Sequence, residues 1–356
     1  MTERIHRLRE FIGRHKNILW WLHSAYALLL GLVFMWLGAR HFAYLRILTF
    51  YIAFIWLTSL LLPLVTDHAG FPRQWRGRAR LVINYFHRNF YQQLLFFVLP
   101  IYYASATWGS RNLFFIALLA MSAVLSTLDV VYDRYVSEHR PVAALFFAFN
   151  IFACVNLMLP VLWSVSNYWA LWISAALAVV GFASVLFSVG RRAAAPSRVL
   201  LCAAAAGLCF LVLFLRSFVP PAPLRLVSAE FGRSISGLKI QDPLRSLPGV
   251  WPDTVVGMTA IRAPLGLKEM VQHRWYIDDK LIYASPFYVL TGGRSEGYRI
   301  WTHVRAAGRP GGEELVLDVA TRGGQLIGRA RLRRQPEASA LGAKGSAPTL
   351  PRRKRL

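Results

Sequence analysis

The chain has 356 residues, 56% of them hydrophobic and 16% charged, with a mean hydropathy of +0.41 and a formal net charge of +24. That balance excludes an ordinary soluble protein, a collagen-like chain, a disulfide scaffold and a disordered chain, and it points to a membrane protein. On a soluble protein +24 would suggest nucleic acid; on a membrane protein basic loops are expected for topology alone.

A helix needs about 20 apolar residues to cross the hydrocarbon core. Seven windows approach that length: 18–38, 45–65, 91–108, 112–132, 141–163, 169–189 and 199–219. They predict a bundle of about seven transmembrane helices over residues 1–219. The first window is bulky and lacks a small-x-small cleavage site, so it reads as a retained span and not a signal peptide. His23 within it is a candidate intramembrane polar residue, with a hydrogen bond to a neighbouring helix as the plainer reading.

Lys and Arg are unevenly divided among the connecting loops. The N-terminus, the second, fourth and sixth loops carry 15, including Arg73, Arg76, Arg78, Arg80 and Arg88; the alternate loops carry Arg40, Arg46 and Arg111. Positive residues favour the cytoplasmic side, so the N-terminus is expected inside and, with an odd span count, the C-terminal domain outside. This makes the chain an expected multi-pass protein of the bacterial inner membrane with a periplasmic domain. The basic second loop also suits anionic lipid headgroups.

Asp129 and Asp133 stand four apart near the end of the fourth window. On a continuous helix they share a face, where paired carboxylates could bind a cation or relay protons, or form a structural ion pair beside Arg134. Cys154, Cys202 and Cys209 all fall in apolar windows and read as buried thiols. Asn150 and Asn156 are expected to bond across helices.

Pro220, Pro221 and Pro223 end the helical half, and residues 220–253 read as a linker whose alternation is too irregular to assign. From Thr254 the pattern turns to period-2 segments: 254–261, 268–277, 281–290, 297–304, 313–320 and 325–332. Asp278-Asp279 and Arg322-Gly323-Gly324 supply hairpin turns. Six or seven short strands predict a small, Ig-like antiparallel β-sandwich over 254–334. Residues 335–356, rich in Ala, Ser, Gly and Pro and ending in Arg-Arg-Lys-Arg-Leu, are expected to be a disordered basic tail.

Three runs within this domain, His273-Arg-Trp275-Tyr276, Gly297-Tyr298-Arg299-Ile-Trp301-Thr302 and Gly324-Gln-Leu-Ile-Gly328-Arg, occur in the order and spacing that resemble the bacterial family called domain of unknown function 2914. The resemblance covers about residues 254–333, and the helical half is similar to the membrane segment that accompanies that domain. Leu315 stands where that family has Trp. No reaction is implied by the resemblance.

In the fourth predicted strand Tyr298, Ile300, Thr302 and Val304 point one way and Arg299, Trp301, His303 and Arg305 the other. Trp275, Tyr298 and Trp301 could all be core aromatics. Alternatively Arg299, Trp301, His303 and Arg305 form an exposed aromatic and basic face suited to a glycan or another anionic envelope component. No P-loop, zinc-protease, CxxC, nucleophile-elbow or dinucleotide-binding motif is present. The expectation is therefore no cofactor, no metal, no nucleic acid and no catalytic constellation. The expected function is an envelope protein in contact with the bilayer, whose sandwich recognises a periplasmic protein or glycan; the alternative is a transporter or membrane-embedded transferase with the sandwich as accessory.

Overall fold

The computed structural model describes residues 94–128, 131–187, 212–247, 251–305 and 313–334, with scattered residues between 21 and 36 and at 206, 207 and 210. Four helices occupy the first half of this region: α1 (Leu94–Ser105), α2 (Asn112–Thr127), α3 (Arg140–Trp163) and α4 (Asn167–Phe187). Nine strands follow: β1 (Arg225–Ser236), β2 (Lys239–Pro243), β3 (Thr254–Arg262), β4 (Lys268–Ile277), β5 (Lys280–Ala284), β6 (Tyr288–Thr291), β7 (Tyr298–Arg305), β8 (Glu314–Thr321) and β9 (Leu326–Arg333).

Local chemistry accounts for the helix ends. Between α1 and α2 the chain turns at Gly109, and Ser110 Oγ accepts from the Asn112 backbone N–H at 3.2 Å while donating to the Thr107 carbonyl at 2.6 Å. Pro141 lies in the first turn of α3, where no amide donor is required. The same helix stops at Ser164, which is left-handed at φ 54°, and three residues later α4 returns along it. Tyr102 ties α1 to α3 by donating to the Ala153 carbonyl at 2.8 Å and accepting from Asn156 Nδ2 at 3.1 Å. Asn156 thus bonds across helices as its position in the sequence suggests. Asn150 is equally buried, but its side chain has no partner among the described residues.

The predicted bundle of seven spans is overturned. Among the described residues one helix, Pro141–Trp163 within α3, is long and apolar enough to cross a membrane; the shorter apolar stretches are Leu94–Ser105, Asn112–Thr127 and, within α4, Asn167–Ala183. The reason is backbone continuity. Hydropathy windows record composition, whereas α2 ends at Thr127, Leu128 leaves helical geometry at ψ 82°, and a π-helix (Tyr132–Ser137) follows. Window 112–132 is therefore not one helix. Window 45–65, the basic loop over 73–88, Cys202, Cys209 and the tail lie outside the described residues, as does about half of each of windows 18–38 and 199–219.

The C-terminal half does form a β-sandwich. One antiparallel sheet has the order β2-β1-β3-β7; the other has β5-β4-β8-β9, with β6 also paired to β4. The segment left unassigned by its pattern supplies β1 and β2, because β1 pairs with β3 from Arg225↔Arg262 to Gly232↔Val256. Predicted strand 281–290 is two strands separated by a stretch containing Pro286, which cannot donate to a ladder. Asp278 and Asp279, at φ 44° and 63°, make the tight turn between β4 and β5.

Inward residues of both sheets form two apolar clusters. Ile261, Val271, Leu290, Ile300, Val319 and Ile327 lie in one; Phe231, Val255, Trp275, Val304, Leu315 and Leu317 lie in the other. β1 crosses β9 so closely that a Cβ on Gly328 would stand 2.5 Å from Leu226 Cβ. Gly328→Ala is expected to destabilise the sandwich by about 1–3 kcal/mol through overpacking, read as a lower urea midpoint in tryptophan fluorescence.

Candidate functional site

Between the two apolar clusters lies a buried polar layer made by one residue position on each of three strands. His273 on β4 is fully buried; its Nε2 is 2.8 Å from Thr259 Oγ1 on β3, and its Nδ1 is 2.9 Å from Thr302 Oγ1 on β7. Trp275, two residues along and also fully buried, donates Nε1–H to the same Thr302 oxygen at 2.8 Å and packs edge-on against Phe231. A neutral imidazole has one donor and one acceptor nitrogen, and two hydroxyls satisfy both. Both sheets are therefore joined through hydrogen bonds that no aliphatic substitute could make.

Two of the motif residues, His273 and Trp275, belong to this layer. His273 and Trp275 build the core, and Thr302 receives them. Tyr276 is half-buried beside Arg329, Tyr298 packs on the first cluster with Arg294 over its ring at 5.3 Å, and Gly297 and Gly324 occupy turns at φ 90° and 83°. Leu315 is fully buried in the second cluster. Arg329 makes a bidentate pair with Asp318 on the outer face of the second sheet, at 2.6 and 2.8 Å.

β7 alternates as its sequence indicates. Ile300, Thr302 and Val304 are buried, while Arg299, Trp301, His303 and Arg305 are exposed. Trp301 remains 42% accessible, unlike Trp275, so the two tryptophans have opposite roles. Its ring stacks on His303 with centroids 6.4 Å apart and planes 27° apart. Arg299 is held by Glu296 at 3.4 Å and by the Leu238 carbonyl at 3.5 Å. The β1–β2 hairpin turns at Gly237 and Leu238, at φ 56° and 58°, and β2 lies so close to β1 that a Cβ on Gly232 would meet Ile240 at 2.3 Å.

A third constellation joins sandwich and helices. Glu269 on β4 is 2% exposed, and its Oε2 accepts from the Asn167 backbone N–H at 2.6 Å and from Asn167 Nδ2 at 3.1 Å. Asn167 begins α4, so a carboxylate distant in sequence caps that helix and meets the positive end of its dipole. Burial raises the Glu269 pKa from the usual carboxylate value, and the bonds from Asn167 and Met270 oppose the rise. Asn112 Nδ2 donates to the Leu326 carbonyl and Gln325 Nε2 to the Val219 carbonyl, both at 3.2 Å. Sequence reasoning missed this junction. Its available signal was Glu269 on the same strand parity as Val271, His273 and Trp275.

Of the intramembrane candidates, His23 and Asp129 lie outside the described residues, and Asp133 falls in the π-helix. Among the described residues no group of three His, Cys, Asp or Glu side chains could hold a metal ion.

Two outcomes follow from the buried polar groups. Burial lowers the His273 pKa from 6.5 to about 4, so the unfolded chain binds the extra proton first as pH falls. The resulting stability is full above about pH 6.5 and lost on acidification, by about 3 kcal/mol at pH 4. Glu269 works in the opposite sense, so the quantity to measure is the difference between wild type and His273→Gln in urea melts at pH 7 and 4. The wild type should lose that increment relative to the variant. Glu269→Ala, which strands two buried donors, should cost about 1–3 kcal/mol, whereas Glu269→Gln, which keeps an acceptor, should cost less in the same melts.

No curated protein matches the chain. A family model matches residues 1–246, which include α1 to α4 and extend through β1 and β2 but stop short of His273, Trp301 and Gly328. This match covers more than half of the sequence, and the chain accordingly belongs to the family of unknown function DUF5924.

Proposed function

We propose that this is a membrane-anchored envelope protein whose sandwich, outside the cytoplasm, binds an anionic glycan through the exposed face of β7. The observation that carries the reading is the Trp301–His303 stack flanked by Arg299 and Arg305 on one solvent-facing strand. An exposed indole offers an apolar plane to a sugar ring, and two guanidiniums offer planar donor sets to carboxylates or phosphates. The Arg299 contacts with Glu296 and Leu238 hold one of those donor sets in place. We also place residues 254–333 with the domain of unknown function 2914, supported by the three ordered motifs that build the buried layer and its turns. The length and apolar character of α3 support an inner-membrane location, and the placement of the sandwich in the periplasm is part of the same proposal.

A protein partner is the second reading, favoured by β7 being the last strand of its sheet, where an extended peptide could add. The apolar character of the cavity between α2, α3 and α4 favours anchoring over transport or transfer chemistry. The decisive measurement is crosslinking of the intact protein in its own membrane. A glycan adduct on β7 supports the first reading, a peptide adduct the second, and no adduct in repeated trials removes both. Trp301→Ala should reduce binding to immobilised anionic polysaccharide at least about tenfold, the loss expected when one stacking aromatic is removed, while stability changes by about 0.5 kcal/mol or less because the side chain is exposed. Undiminished binding by the variant would remove Trp301 from the site.

A further inference from the structure

Beyond the sandwich, the helices enclose a groove of about 350 Å³, partly open, between α2, α3, α4 and the segment 212–219. Phe114, Phe149, Phe152, Leu171 and Phe182 are among its walls, and Arg216 is the one side chain in the lining that is not apolar. A polar ligand would find no hydrogen-bond partners along those walls and would lose its hydration without compensation. A single hydrocarbon chain meets that constraint.

Charge identifies the rest of the molecule. Arg216 lies where the groove meets the sandwich, beside the β8–β9 turn: its Nε would be 3.7 Å from a Cβ on Gly324. Arg111, outside the lining itself, holds its guanidinium 5.8 Å from the centre of the Phe218 ring, which lines the groove. Neither arginine side chain forms an ion pair among the described residues. Two uncompensated cations at the end of an apolar groove match an anion joined to an apolar chain.

We propose that this groove holds an acyl chain of an anionic phospholipid, with the headgroup phosphate received by Arg216 and Arg111. The site rests on the membrane-anchored reading above and is independent of β7. It would fix a lipid against the helices at the point where Asn112 and Gln325 bond the sandwich to the helical half.

The test uses the full chain in lipid nanodiscs containing either phosphatidylglycerol or phosphatidylcholine with a photoactivatable acyl chain. Labelled peptides are then mapped. Phosphatidylglycerol should label the groove walls on α2, α3 and α4 at least about fivefold more than phosphatidylcholine, since each basic residue near a headgroup is worth roughly that factor. Arg216→Gln should lower that preference about fivefold, and Ala178→Phe, which fills the groove, should reduce labelling by both lipids. Glycerol phosphate should not compete. Equal labelling by the two lipids, label spread evenly over all helices, or competition by glycerol phosphate overturns the proposal, and the wild-type map decides even if a variant misfolds. A protein that inserts but leaves the groove unlabelled loses this site alone; a protein that does not insert loses the membrane reading as well.

Discussion

The hydrogen-bonded layer of His273, Thr259, Thr302 and Trp275 is the constraint around which the sandwich is arranged. Apolar contacts between two sheets are tolerant of sliding, because one branched side chain can replace another. A buried imidazole with two hydroxyl partners at 2.8 and 2.9 Å is not tolerant, since a shift along either strand leaves polar atoms unpaired in the interior. The layer therefore fixes the register of β4 against β3 and β7. With that register set, Val271 and Trp275 enter different apolar clusters, and odd-numbered residues of β7 are turned to solvent.

The outward consequence is the β7 face. Thr302 and Trp301 are adjacent in sequence, so holding one inward to His273 and Trp275 turns the other outward. The exposed face and the buried layer are thus coupled through strand parity without sharing a side chain. The β1–β2 hairpin adds to this, because its turn brings the Leu238 carbonyl to Arg299.

Where the sandwich meets the helices, polar groups join two kinds of architecture. Glu269 belongs to the same strand parity as His273 but leaves the sandwich to cap α4. A carboxylate buried to this degree is costly alone, and the helix N-terminus with Asn167 supplies donors that offset the cost. The β8–β9 turn lies over the same junction, with Gly323 near Tyr168 and Gly324 near Arg216. Sandwich and helices meet through specific bonds, and this position sets the cationic end of the apolar groove beside the sandwich.

Composition and period determined much of this protein. Strand alternation from Thr254 onward, the two-aspartate turn and the division of β7 into two alternating sets of residues were legible because a strand's side-chain period is fixed by its backbone. The family-like motifs were legible as residues but not as roles: only packing across the sandwich shows Trp275 inside and Trp301 outside. Seven apolar windows could not establish seven helices, since hydropathy is blind to a backbone break such as Leu128 or the π-helix that follows. β1 and β2 were illegible because β1 is part exposed and bulged, and its pairing with β3 is set by partners distant in sequence. The cap at Asn167 and the groove near Arg216 depend on contacts across roughly one hundred residues, and these only the tertiary structure decided, because proximity between segments so far apart leaves no local periodic signal in a single sequence.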